Sequence, residues 1–147
     1  MKPAVIYHAN CPDGWCAAWV AYNALKEQQD AVATLHPATY GQAPPDLGDT
    51  DTVYVVDFSY PHDVLVEMAK DRKVIVLDHH QTAMDDICAA LGWEPEPGSN
   101  VPPPDWPYAA VLDVSRSGAG ITWDYFHGPD DQGRGEPRLD IVDYVED

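Results

Sequence analysis

The run Val74-Ile75-Val76-Leu77, followed at once by Asp78-His79-His80, constrains this chain more than any other stretch. Four consecutive apolar residues bounded by polar ones have the length of a strand buried on both faces, as in a parallel sheet. The strand hands over to a carboxylate and two imidazoles, side chains suited to metal binding and proton transfer. Alone, the tripeptide is equally compatible with a loop or helix start facing solvent. Two other runs share the pattern: Ala4-Val5-Ile6-Tyr7 ends at His8, and Val53-Tyr54-Val55-Val56 ends at Asp57.

Helical segments separate these runs. Asn10-Cys11-Pro12-Asp13-Gly14 has turn chemistry, and a helix is expected from near Trp15, with Ala17, Ala18, Val20, Ala21 and Leu25 as its buried stripe. Residues 31–35 are a strand candidate, and 41–51, with Pro44-Pro45, a loop. Ser59-Tyr60-Pro61 starts a helix that turns Val64, Leu65 and Met68 inward, with the proline in its first turn. A strand over 73–77 leads to a helix over about 83–91, and a strand over 109–114 leads to a helix opening at Arg116-Ser117-Gly118. Residues 94–107 hold six prolines and form a surface excursion, with Trp93 and Trp106 placed to pin it down. Residues 127–137 are a polar loop that includes His127, and 138–147 a short final helix. Trp19 and Trp123 are expected in the core, and His36 and His62 on the surface.

Strands alternating with helices over 147 residues predict an α/β fold: one domain, 1–147, with an open, mostly parallel five-stranded sheet and helices on both faces. In such sheets ligands bind beyond the carboxyl ends of the strands. His8, Asp13, Asp57, Asp78, His79 and His80 are therefore expected at one edge.

Charge narrows what could bind there. The formal net charge is −17, from 25 acidic residues against 8 Lys and Arg. Such a surface repels long duplex nucleic acid, whose binding needs a basic track. A phosphate-bearing substrate should be small, with bound cations supplying positive charge. The acidity also suits solubility by self-repulsion or a salty environment. No run is long enough to span a membrane and no leader pattern opens the chain, so a cytoplasmic protein is expected. Cys11, Cys16 and Cys88, an odd set without disulfide spacing, agree with a reducing compartment.

Mixed carboxylate and imidazole ligands suit Mn²⁺, Mg²⁺, Fe²⁺ or Zn²⁺. The number of candidates exceeds what one structural ion uses, and two bridged ions activating a water for attack on phosphorus would employ them well. The competing template is nucleophilic catalysis by Cys11 or Cys16 with a histidine. It lacks a third orienting group, and Cys16 falls on the buried side of its helix. Gly14 is isolated, so no glycine-rich phosphate loop is present.

His8-Ala9-Asn10-Cys11-Pro12-Asp13-Gly14, Val55-Val56-Asp57, Leu77-Asp78-His79-His80-Gln81-Thr82 and Arg116-Ser117-Gly118-Ala119 together resemble the successive motifs of the DHH phosphoesterase superfamily. That group includes exonucleases, phosphodiesterases of short oligonucleotides and cyclic dinucleotides, and pyrophosphatases. The resemblance implies a Rossmann-like domain that hydrolyses a small phosphodiester with two divalent ions, Mn²⁺ foremost and Mg²⁺ next. It implies His8 and Asp13 as metal ligands, Asp57 as a bridging carboxylate and His79 as a ligand of the second ion. Asp78 would orient its neighbours, and His80 would meet the phosphate. Arg116 and Ser117 would cradle it at a helix N-terminus, although Ser117 also reads as a plain N-cap.

The chain departs from the family pattern at three points. Cys11 stands where members often have an Asp. The last expected carboxylate falls to Asp147, with Asp143 and Asp140 as alternatives. The usual second domain has no counterpart, so a small substrate, a partner subunit or a homo-oligomer is expected to complete the site. A catalytically impaired relative that only binds or sequesters a nucleotide is the alternative.

Overall fold

The computed structural model describes residues 1–94, 105–128 and 142. Five strands, β1 (Pro3–His8), β2 (Thr34–Ala38), β3 (Thr52–Val56), β4 (Lys73–Asp78) and β5 (Ala109–Leu112), pair in the order β2-β1-β3-β4-β5. All four pairings are parallel. Among the described residues, α1 (Pro12–Gln29), α2 (His62–Met68) and α3 (Gln81–Leu91) lie between strands, and α4 (Gly118–His127) follows β5. The fold is thus the expected α/β arrangement, with a sheet that is wholly parallel.

The inner strands explain why their sequences read as unbroken apolar runs. Ala4, Ile6, Val53, Val55, Val74 and Val76 face one core, where Leu65 and Met68 of α2 and Ile87 of α3 join them. Their neighbours Val5, Tyr54, Val56, Ile75 and Leu77 face the other, closed by Cys16, Ala17, Val20 and Leu25 of α1 and by Ile121 and Trp123 of α4. Side chains alternate between faces at period two, and both faces are covered.

The strand expected at 31–35 lies instead at Thr34–Ala38. Ala31 is spent on closing α1: its N–H donates to Leu25 O at 3.2 Å, after Asp30 has turned left-handed with φ 50°. Pro37 is then tolerated because β2 is an edge strand. Ala38 turns its carbonyl toward β1, where Ala9 N donates to it at 2.9 Å, so Pro37, one residue earlier, turns its missing donor outward.

Several other boundaries differ. Helix α1 starts at Pro12, not Trp15, because proline suits the first helical position. Pro61 is the N-cap of α2 rather than a residue inside it. His127 ends α4 instead of opening a loop, and it stacks on Trp123 with ring centroids 3.9 Å apart. Trp123 is buried as expected, but Trp19 is 44% exposed, in a groove it shares with Trp15 and Tyr22 of α1, Tyr7 of β1 and Leu35 of β2. Trp93 and Trp106 meet edge to face at 5.4 Å and pack on the core, a pinning contact beside the proline-rich excursion. The middle of that excursion and most of the expected last helix lie outside the described residues.

Gly14 has a packing reason to be glycine. A Cβ there would stand 2.2 Å from the carbonyl oxygen of His8, so only a bare Cα lets the first turn of α1 slide under the end of β1. Gly14→Ala should therefore destabilise the protein by about 1–3 kcal/mol through overpacking, read as a lower urea midpoint at unchanged slope. An unchanged midpoint would mean that the helix can shift at no cost.

Candidate metal centre at the carboxyl edge of the sheet

The order β2-β1-β3-β4-β5 makes β1 and β3 neighbours whose outgoing chains part to opposite sides, and the crevice between such strands is where α/β sheets bind ligands. His8 ends β1 and Asp57 follows β3, so the two flank that crevice. His8 Nδ1 lies 3.8 Å from Asp57 Oδ2.

Asp57 is fully buried and has a left-handed backbone, φ 53°. Its N–H donates to Leu77 O at 2.9 Å, which extends the ladder past β3 and fixes the turn. Such a conformation costs about 1–3 kcal/mol in a non-glycine residue and persists where surroundings enforce it. Gly118 presses from the other side, since a Cβ there would come within 2.5 Å of Asp57 Cβ. The Asp57 side chain is held by His79, whose Nε2 lies 2.7 Å from Oδ1.

Asp13, in the first turn of α1, reaches across to α4. Its carboxylate accepts hydrogen bonds from Gly118 N at 2.9 Å and Ala119 N at 2.7 Å, and Oδ2 lies 3.3 Å from His79 Nε2. The helix N-terminus expected to cradle a phosphate is thus filled from within. Ser117 is the N-cap of α4, its Oγ accepting from Gly120 N at 2.9 Å. The Arg116 guanidinium donates to Asp124 at 2.9 Å, within the same segment.

Asp78 is fully buried at the end of β4, and its Oδ1 accepts from His80 Nδ1 at 2.7 Å. That bond leaves His80 Nε2 as the second ring nitrogen for a ligand. His8 and His80 rings meet edge to face at 5.7 Å, so all three histidines line one space. The structure thus brings together six expected residues: His8, Asp13, Asp57, Asp78, His79 and His80. Asp147, Asp143 and Asp140 lie outside the described residues.

Tyr40 joins them without having been expected. Its half-exposed ring lies on Phe58 at 4.6 Å and edge-on to His8 and His80 at 5.5 and 5.9 Å. Burial, then the charges of Asp78 and Asp57, push its phenol well above the usual range, so it is a neutral hydroxyl. The signal was its place two residues past the true end of β2, near the same sheet edge at which His8 ends β1 and Asp57 and His79 follow β3 and β4.

Like charges crowded out of water hold on to protons. Burial and the Asp57 carboxylate push Asp13 up to about 6, against the pull of its two backbone donors. The bond to Asp57 raises His79 above 6.5, and the bond to Asp78 raises His80, each opposed by burial.

The donor set fits a divalent cation. Ligand atoms of Asp57, Asp78, His79 and His80 lie within 4.8 Å of one another, as do those of His8, Cys11 and Asp57. Within these groups His8 Nδ1, Asp57 Oδ2 and Asp78 Oδ2 are buried and lack a hydrogen-bond partner. An unsatisfied buried polar atom costs about 1–3 kcal/mol, which a coordinated ion would relieve.

A doubly wound parallel sheet with an aspartate and histidine centre at its switch point defines the class of protein. The family described as DHH family, N-terminal domain, matches residues 4–144, and the chain belongs to the DHH family, within the DHH phosphoesterase superfamily. It is also similar to an uncharacterised protein of Acanthamoeba polyphaga mimivirus, 28% identical over an alignment of 136 residues, with 83% of this chain covered. The chain spans about 28% of that relative's length. Among the described residues no helix is long and apolar enough to cross a membrane.

The proton-holding groups set a pH dependence for the metal-free protein. His79 and His80, raised above 6.5, contribute stability that is full below that value and is lost as pH rises through their folded values. Asp13, raised from 3.8 to about 6, adds a penalty that sets in across that interval as it ionises. All three run in one direction. Chelator-treated protein should lose thermal midpoint between about pH 5 and about pH 8, and a divalent ion should remove the loss. A midpoint that climbs over that range would contradict the assignment of these protons.

Proposed function

We propose that this chain is a divalent-metal-dependent phosphohydrolase acting on a small phosphodiester: a nucleotide, a cyclic dinucleotide or a short oligonucleotide. The observation that carries the reading is the set of buried, unpartnered atoms, His8 Nδ1, Asp57 Oδ2 and Asp78 Oδ2, in one crevice beside Asp13, His79 and His80. Family membership supports phosphoester chemistry.

In this reading His8, Asp13, Asp57 and His79 hold two divalent ions, with Mn²⁺ as the leading candidate and Mg²⁺ next. Asp57 would be available to both, since it is common to the two groups of converging ligands. The bound ions supply charge neutralisation at the phosphate and a water acidic enough to attack near neutral pH. His80 donates from Nε2 to a phosphate oxygen or the leaving group, and Asp78, bonded to Nδ1, fixes its tautomer and favours its charged form. Tyr40 forms an aromatic wall beside His8 and His80. The net charge of −17 favours a short substrate whose few phosphates the ions can neutralise.

With Mn²⁺ the protein should hydrolyse bis(p-nitrophenyl) phosphate and short oligonucleotides. Asp57→Ala and His79→Ala should abolish the reaction, and His80→Asn should lower kcat by about 10²–10⁴-fold. Equal rates in wild type and these variants would sink the proposal. Tight nucleotide binding without turnover under Mn²⁺, Mg²⁺ and Zn²⁺ would replace it by a binding role.

A further inference from the structure

The first motif places sulfur where the other candidate ligands offer nitrogen and oxygen. Cys11 is the N-cap of the 18-residue helix α1, with extended backbone angles of −132° and 125°. Residues at that position ordinarily turn a side-chain oxygen onto the helix N–H groups. Cys11 makes no such bond. Its Sγ instead lies within 4.8 Å of a ring nitrogen of His8 and a carboxylate oxygen of Asp57.

A cysteine alone would mean little, but what surrounds it is informative. Asp57 is fully buried, and its Oδ2 has no hydrogen-bond partner; buried His8 Nδ1 has none either. Both atoms stand 3.8 Å apart, too far for a good hydrogen bond and suited to a group between them.

We infer that Cys11 Sγ is a metal ligand, forming with His8 and Asp57 a nitrogen, sulfur and oxygen set that selects a borderline ion, Zn²⁺, Fe²⁺ or Co²⁺, over Mn²⁺ and Mg²⁺. This rests on the proposed metal centre and specifies one half of it. Hard ions prefer oxygen, and a thiolate moves preference toward softer ones. Coordination replaces the S–H bond with a metal–sulfur bond and releases the proton to solvent, with no change of oxidation state. The positive end of α1 favours the resulting anionic sulfur. The other half, where Asp57 and His79 would hold the second ion beside Asp78 and His80, contains no sulfur. The two halves therefore differ in chemical softness, and the centre favours two different metals.

The test is cobalt spectroscopy of the full chain. Metal-free wild type loaded with Co²⁺ should show a near-ultraviolet sulfur-to-cobalt charge-transfer band. Cys88→Ser should keep it, and Cys11→Ser should lose it. Zn²⁺ affinity should fall about tenfold or more in Cys11→Ser, with Mg²⁺ affinity within about threefold of wild type. Bound Co²⁺ without the band in wild type, or a band that survives Cys11→Ser, overturns the inference.

Should Cys11→Ser fail to fold, alkylation of the wild type decides. Cys11 is half-buried. Zn²⁺ should slow its modification by iodoacetamide about tenfold, read by peptide mass, and Mg²⁺ should not; an unchanged rate overturns the inference. The two proposals fail separately. Mn²⁺-dependent hydrolysis without the band defeats the sulfur ligand alone, whereas a band without hydrolysis under any ion defeats the enzymatic reading alone.

Discussion

Three carboxylates, Asp13, Asp57 and Asp78, share one corner of this molecule, and the surrounding structure is arranged around their repulsion. Two unit charges about 4 Å apart at an effective dielectric of about 20 interact by about 4 kcal/mol, and a domain's whole stability is only about 5–15 kcal/mol. Each carboxylate therefore has a dedicated partner: His79 for Asp57, His80 for Asp78 and the first N–H groups of α4 for Asp13. These partners reach the corner only because Gly14 and Gly118 remove the Cβ atoms that would keep two helix starts away from two strand ends. The helices that carry Asp13 and Gly118 lie on the same face of the sheet, sharing one core. The centre is thus held by packing on one side and presented to ligand on the other.

Sheet order determines where the corner falls. With β1 next to β3, the chain leaves β1 toward β2 on one side and leaves β3 toward β4 on the other, which opens a crevice between them. His8 and Asp57 face each other across it, and β4 adds Asp78 and His79 beside Asp57. Residues 70 positions apart become neighbours because each is the first polar residue after an apolar run. That rule also explains why the three imidazoles form one cluster.

How much of this was legible in the sequence follows from the same physics. Strands covered on both faces, such as Val74 to Leu77, are continuous apolar runs, so their ends, and with them His8, Asp57, Asp78, His79 and His80, could be located directly. An edge strand carries no such run. β2 has exposed Thr34 and Leu35 and contains Pro37, so it reads too early by three residues, and Tyr40 beyond its end escapes notice. Trp19 reads as core because large aromatics usually are, yet it lies in an open groove beside the β2 edge of the sheet. The engagement of Asp13 with Gly118 and Ala119 links residues more than a hundred positions apart. No local pattern encodes that, and so the start of α4 read as an open anion site when an aspartate of the same chain already fills it.

Pro37 has a consequence beyond its tolerance at the rim. A flat, open strand edge is a template on which another chain can add itself, and among the described residues β2 and β5 are the outer strands of this sheet. On β2 the residue whose backbone points outward beside Ala38 is the proline, which offers no donor and blocks close approach with its ring. At the opposite side β5 is only four residues long. Both flanks are thus poor seeds for strand addition, and a sheet rich in valine and isoleucine stays guarded against runaway stacking of copies.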